Sequence, residues 1–579
     1  MPELFEWPCD SPRCQSKFCA QTAICDLCYQ ALCPEHDVAP AHACRTPRTT
    51  EQRWNAQDNA QRRYLGRVLS DVATHKKDLI NDAQRLRPEH TCHLILPEDS
   101  EQFFQQCRGA GFNVHFTLKW DDDIKWLIRV RQDRGHRIPH EVREADIKSE
   151  VATLQRLRAG GISVPKAWLP GYLDDSKDGM PTISPFPFDY FFYTFLQGRP
   201  WPIQKTPFYP MRLPEEDIKK YIEAYALHQI KMSHFVLPLN QIGCLQMNKS
   251  GEEVGPIITR GTFQKPEPPY LLGPFSTQKE RYLSHIDTTL DYILMGAVGE
   301  SGPIDSYLWH LEMRELVEHS KILARPIPEV YIKFDDEKGD QLLWDDHGKV
   351  CGVLDWQWAY ITTKTEAFAA PPLLYESINL FPGGNSMTEE GNFLIDCYDK
   401  YGRPDLGDCV ERLYQRLILI GRWYDFYKKI GFREPFEPDF PSDFQPPLDD
   451  IDRRVYVMER YKDNKGLQEL MRILDWTIEK ATEEAFQWRR EKDKNKSQEH
   501  AEHGRNEEDN GLISERDEER AKVDQRADDT TMEEGLQNVI LGRGGEVAMR
   551  AGCEEIANMV SDHIVQQADT SKEGCITND

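Results

Sequence analysis

The sequence predicts a chain of α+β class built from several domains. Three observations point that way. β-prone runs broken by turns fill residues 93–200, and helical periodicity dominates residues 201–485. Stretches of quite different composition lie on either side. The 579 residues suffice for two to four domains. With 39% hydrophobic and 29% charged residues, the chain can bury a sizeable core while much of it stays solvated. A net charge of -26 argues against a general partner of nucleic acid or of anionic membrane. No run of about 18 apolar residues occurs, so no membrane-spanning helix is expected. Met1 to Pro8 is not a basic region leading into an apolar stretch, so the expected location is cytoplasmic or nuclear. There the 15 cysteines should be reduced or bound to metal.

Residues 1–46 read as a metal module. Cys9, Cys14, Cys19, Cys25, Cys28, Cys33, His36, His42 and Cys44 crowd a segment too short to hold together by an apolar core. From Cys25 onward the ligand types are separated by two, four, two, five and one residues. Four short-range pairs result: Cys9/Cys14, Cys25/Cys28, Cys33/His36 and His42/Cys44. Such thiolate and imidazole pairs are what tetrahedral zinc needs. Sites closed by four protein ligands are structural, with no position open for catalysis.

Residues 47–92 read as a helical spacer. After a polar linker, Arg53 to Arg87 favours helix, with Leu65, Val68, Leu69 and Val72 on one side. Strand-like runs begin near His93. Gly109 and Gly111 sit in a turn that permits close backbone approach, as a phosphate-cradling loop or an ordinary hairpin turn requires. Lys125 to Arg131 is the next strand and carries Arg129. A helix carrying Glu150 follows, and Tyr190 to Pro200 reads as a strongly β-prone strand ending at a glycine turn.

Farther along, Ile218, Ile222, Tyr225, Ala226 and Ile230 form a helical stripe. Runs at 341–344 and 349–354 flank the turn Asp345–Gly348, a hairpin signal. Such a hairpin brings the loop holding Asp336 near its far end at Asp355, and converging carboxylates suit a hard cation. The acidic loop of Asp335, Asp336, Glu337 and Asp340 is either a metal-binding turn or a solvated one. From about Glu491 to Thr531 the chain is a run of charged and amide side chains with almost no aromatics, and residues 486–579 are expected to be mostly a disordered, charged tail.

Two resemblances add to this. The amino-terminal spacing resembles the AN-one-type zinc finger. That family implies a cross-brace with two zinc ions, one held by Cys9, Cys14, Cys33 and His36, the other by Cys25, Cys28, His42 and Cys44. It also implies a protein partner. Part of the run resembles a B-box as well.

The order of turn, basic strand, glutamate-bearing helix, hairpin and Val-Leu-Asp-Trp cluster at 353–356 resembles the aminoglycoside phosphotransferase and choline kinase superfamily, of protein-kinase-like two-lobed fold. The resemblance implies an amino lobe over 93–200 and a helical lobe over 201–485. It implies ATP and magnesium as cofactors and a small-molecule hydroxyl as acceptor. Gly109 and Gly111 would cover the phosphates and Arg129 would contact them, where the family often has lysine. Glu150 would be the helix partner of that arginine, Asp336 the catalytic aspartate, and Gln341 and Asp355 the metal-side ligands. Two departures stand out: Phe334 replaces a histidine and Gln341 replaces an asparagine. Two expectations therefore stand side by side, an active small-molecule kinase and a catalytically degenerate pseudokinase serving interaction through its finger.

Overall fold

The computed structural model describes residues 23–24, 31–32, 50–107, 112–131, 138–174, 185–200, 215–248, 251–265, 268–297, 303–335, 341–369, 371, 389–411, 443, 450–480, 482–483, 486–487 and 490. In chain order the elements begin with two short strands, β1 (Ala23–Ile24) and β2 (Ala31–Leu32), paired antiparallel. Then come α1 (Thr50–Thr74), α2 (Lys76–Leu86), β3 (Cys92–Ile95), α3 (Ser100–Cys107), β4 (Asn113–Trp120), β5 (Lys125–Arg131) and α4 (His140–Ala159). Next are β6 (Ala167–Trp168), α5 (Gly171–Asp174), β7 (Tyr190–Thr194), β8 (Arg199–Pro200), α6 (Glu215–Ser233), β9 (Cys244–Asn248) and β10 (Gly251–Gly255). They are followed by α7 (Gln278–Leu294), α8 (Pro303–His319), β11 (Tyr331–Lys333), β12 (Leu342–Trp344), β13 (Val350–Val353) and β14 (Tyr360–Thr362). The described residues fall into two compact units. The first lies within Met1–Arg281 and Leu323–Ile430, the second within Tyr282–Ile322 and Gly431–Ala557.

The first unit is mixed α and β. Its main sheet runs β3-β4-β5-β7-β6, antiparallel throughout. Strand alternation gives this sheet two distinct faces. Phe116, Leu118, Trp126, Ile128, Tyr190 and Phe192 point to one side and are buried there. Against them pack Leu65, Val68 and Val72 of α1, Leu79 and Ala83 of α2, and Phe103 and Phe104 of α3. The segment expected as a spacer is thus built into the core. Asp82 of α2 fastens it further, accepting from the Tyr190 hydroxyl at 2.9 Å and from the Gly171 amide at 3.0 Å. The other face carries Phe191 and Tyr193, which pack with Ile147, Val151 and Leu154 of α4.

The rest of the unit forms around α6, whose Ile222, Tyr225 and Ala226 are buried as the helical stripe predicts, while Ile218 and Ile230 of that stripe are half-buried and Tyr221, outside it, is buried too. The hairpin also lies where the spacing predicts. β12 pairs antiparallel with β13, and β8 adds a third strand to β12. Asp345 builds its turn by accepting from the amides of His347 and Lys349, each at 2.9 Å. Gly348 supplies the positive φ of 72°. Gly198 takes φ 129° where the chain crosses the hairpin, and a Cβ there would lie 2.6 Å from the Cys351 Sγ. Behind the hairpin β11 pairs with β14. A buried carboxylate ties this pair down. Glu366 binds Arg281 at 2.8 and 2.7 Å, Gln278 at 2.7 Å and the Tyr360 hydroxyl at 2.7 Å.

In the second unit, α8 packs against the helices Asp450–Tyr461 and Lys465–Ile473. Glu315 of α8 pairs there with Arg460 and Tyr461. Among the described residues no helix is long and apolar enough to cross a membrane.

If α2 belongs to the core of the sheet, Leu79→Ala should cost about 2–5 kcal/mol of the stability of that unit. A lowered urea midpoint would register it. An unchanged midpoint would mark the helices as an independent appendage.

Candidate functional site

The face of the main sheet that packs with α4 begins with β5. Leu127, Arg129 and Arg131 alternate onto one face of that strand. Both guanidiniums are buried, with Arg129 only 5% exposed. A buried charge costs several kcal/mol unless it is paired and hydrogen-bonded, and each arginine finds partners on two sides.

Arg131 is the more fully satisfied. It donates to Asn113 Oδ1 and Glu150 Oε2, each at 2.8 Å, and pairs with Asp146 Oδ2 at 2.8 Å. Asp146 and Glu150 stand one helical turn apart on α4, so one face of that helix presents both carboxylates. Arg129 reaches the other way. Its Nη2 lies 2.5 Å from Asp355 Oδ1, 3.4 Å from Gln357 Oε1 and 3.5 Å from Glu150 Oε1. Gln357 closes the ring by accepting from Asn113 Nδ2 at 2.7 Å and donating to Asp146 Oδ2 at 3.2 Å. Burial pushes the Asp146 carboxyl up to about 6, although Arg131 pulls it the other way. For Arg129 burial opposes the charge, and Glu150 and Asp355 restore it, so the guanidinium stays ionised.

The segment that supplies Asp355 and Gln357 leaves the end of β13 on a bent backbone. Asp355 has φ 61° and Trp358 has φ 63°. Left-handed backbone is rare for a bulky residue such as Trp358, and neighbouring contacts must hold it. Phe112 meets the Trp358 ring edge-on at 4.6 Å, and Trp356 stacks on Phe334 at 4.7 Å and 24°. Phe334, 5% exposed, thus serves as packing beneath Asp355. Gln341 is buried at the entrance to β12, its carbonyl accepting from the Leu354 amide at 3.0 Å.

Of the site residues expected from sequence, Arg129, Glu150 and Asp355 are brought together, and Gln341 lies at the base of the same hairpin. Asp336, Gly109 and Gly111 lie outside the described residues, as do Cys9, Cys14, Cys25, Cys28, Cys33, His36, His42 and Cys44. Sequence reasoning missed Asn113, Arg131, Asp146 and Gln357. Two of these had a signal. Arg131 falls two residues after Arg129 on the same strand face, and Asp146 precedes Glu150 by four on a helix. His115 was missed too. It stands opposite Arg129 on β4, exposed, with its ring edge-on to Tyr193 at 5.9 Å.

Chemically the site joins a fixed, buried guanidinium to a partly exposed carboxylate. The Nε of Arg129 is buried without an acceptor, which suits an incoming anionic oxygen. The Asp355 side chain is 36% exposed and offers the oxygen a hard cation takes. A separate group, His90, Asp121 and Asp122, lies within metal-ligand reach of one another, but Arg87 and Thr91 already bind its carboxylates.

No family model and no curated protein matches the chain. Some solved structures are similar at low identity. A type I macrolide 2'-phosphotransferase matches with 14% identity and a TM-score of 0.29, over 59% of this chain and 89% of that one. A thermostable mutant of an aminoglycoside phosphotransferase, in ternary complex with AMP-PNP and hygromycin B, matches with 13% identity and a TM-score of 0.29, over 55% and 88%. An ethanolamine kinase of Plasmodium vivax matches with 12% identity and a TM-score of 0.31, over 60% and 78%.

Gln357→Glu would set another carboxylate against Asp146. Folding raises the Asp146 pKa to about 6, from about 3.9 in an unfolded chain. Its stabilising, protonated form is therefore complete below about 4 and lost as pH rises through about 6. The stability lost in Gln357→Glu should be largest at pH 7–8 and shrink toward pH 5, read by thermal unfolding beside the wild type. An equal loss at every pH would mean that Asp146 stays charged throughout.

Proposed function

We propose that the chain is a kinase-like phosphotransferase of the aminoglycoside phosphotransferase and choline kinase type, which transfers phosphate from ATP to the hydroxyl of a small molecule. The observation that carries this is the meeting of Arg129 on a strand, Glu150 on a helix and Asp355 at the end of a hairpin. These three are far apart in sequence and belong to three elements whose order already suggested the family. In this reading Arg129 holds phosphate oxygens, Glu150 keeps the guanidinium in place, and Asp355 with Gln341 faces the cation. Asp336 orients the acceptor hydroxyl and takes its proton. Gly109 and Gly111 cover the phosphates. Magnesium, when bound, neutralises charge between the phosphates.

A second reading, a cleft that binds without transferring, is favoured by one observation. Phe334, at the position where the family has histidine, is committed to packing on Trp356. Binding of nucleotide separates neither reading from the other, but its absence removes the first.

The amino-terminal module belongs to the proposal as well. We take residues 1–46 to hold two structural zinc ions and to present a surface to a protein partner, on the strength of the ligand spacing alone.

Two measurements follow. With magnesium and ATP at about 100 times Kd, thermal unfolding should rise by several degrees, since such binding adds about 2.7 kcal/mol. The magnesium-dependent part of that rise should vanish in Asp355→Ala. No shift at millimolar nucleotide would sink the phosphotransferase reading. Separately, metal analysis of the purified chain should give two zinc ions, and Cys28→Ser should lose at least one. A chain without zinc would end the finger proposal.

A further inference from the structure

The site described above carries its own counter-ion. We infer that the Arg129–Asp355 ion pair is an autoinhibitory contact, released when a divalent cation takes Asp355, so that cation and nucleotide bind cooperatively. This rests on the phosphotransferase reading of the cleft.

Arg129 and Asp355 are the groups that ligands of opposite charge would each require. At 2.5 Å they satisfy one another. The surrounding residues make this pairing the default. Arg131 has claimed Glu150 Oε2 and Asp146 at 2.8 Å, which leaves Arg129 only the longer approach to Glu150 Oε1, at 3.5 Å. Asp355 is the one short anionic partner that Arg129 has among the described residues. The strand cannot carry the guanidinium elsewhere, because Arg129 sits in unbroken register between His115 and Phe191.

Access to the pair is uneven. The Asp355 side chain is 36% exposed and that of Arg129 is 6% exposed. A cation can reach the carboxylate directly, whereas an anion reaches the guanidinium only after Asp355 has turned away. β4 and the residue before it are held to the same segment, through Asn113 to Gln357 at 2.7 Å and Phe112 against Trp358 at 4.6 Å. A cation that binds Asp355 weakens its hold on Arg129 and leaves a buried guanidinium in need of an oxygen. The phosphates of a nucleotide supply one. By linkage each ligand then strengthens the other.

Titration calorimetry of the full chain with ATP tests this, in buffer with EDTA and in buffer with magnesium. The wild type should bind weakly in EDTA and more tightly with magnesium. Asp355→Asn should bind ATP in EDTA about tenfold more tightly than the wild type, and magnesium should add little. Thermal unfolding checks that the variant is folded, and Asp355→Ser serves if it is not. Asp346→Asn removes the same charge from the exposed hairpin turn, where Asp346 pairs with Arg199, and should change EDTA binding much less. The inference is overturned if the wild type binds magnesium-ATP yet Asp355→Asn gains nothing in EDTA. It is also overturned if Asp346→Asn gains as much, which would reduce the effect to net charge. If neither wild type nor variant binds ATP in any buffer, the phosphotransferase reading fails along with it.

Discussion

Two buried guanidiniums set the terms for everything around them. A strand that turns Arg129 and Arg131 inward must be met by carboxylates, because an unpaired buried charge would cost more than most single packing contacts return. α4 answers with Asp146 and Glu150, and the end of β13 answers with Asp355. Arg131 takes both of the α4 carboxylates at 2.8 Å, through Asp146 Oδ2 and Glu150 Oε2, and leaves Arg129 only the longer approach to Glu150 Oε1 at 3.5 Å. The shortfall is made good by the hairpin. Sheet, helix and hairpin are thus held in one arrangement by charge, while apolar contact fills the space behind them.

The hairpin meets that demand because it is fixed from behind. The Glu366 cluster joins β14 to Arg281 and Gln278, and Phe334 stacks beneath Trp356. With both ends of the Asp-Trp segment anchored, the two positive-φ residues Asp355 and Trp358 are the positions that take up the bend. Bent in this way, the chain delivers a carboxylate and an amide to the same side within three residues. Gln357 then uses both ends of its amide, accepting from Asn113 and donating to Asp146. A glutamate could make the first bond but not the second, which accounts for the amide on electrostatic grounds.

Periodicity made much of this legible. The hairpin, the α6 stripe and the strand carrying Arg129 fall where alternation and turn residues put them, because each is decided by local pattern. The layer of α1 to α3 was not legible as core. Helical periodicity in Leu65, Val68 and Val72 announces an apolar face, but nothing local says what it covers. That depended on Phe116, Ile128 and Phe192, which belong to strands many residues away. The site divided in the same manner. Arg129, Glu150 and Asp355 were found because a motif order named them. Asn113 and Gln357 stand at the ends of stretches the motif order named but had no role assigned there, because a neutral side chain shows its role only when its partners are in place.

The choice of arginine over lysine at 129 bears on how the cleft can work. One Nη2 reaches Asp355, Gln357 and Glu150, while Nε remains without an acceptor. A lysine ammonium in this place would be a compact point charge on a flexible stem, able to follow whichever carboxylate came nearest. The planar fork of arginine is oriented instead, and Arg131 beside it keeps Glu150 occupied. Whatever withdraws Asp355 therefore leaves a donor that is already aimed and cannot easily turn to the helix for relief. The same rigidity that closes the cleft against a lone anion would make it receptive once a cation has arrived.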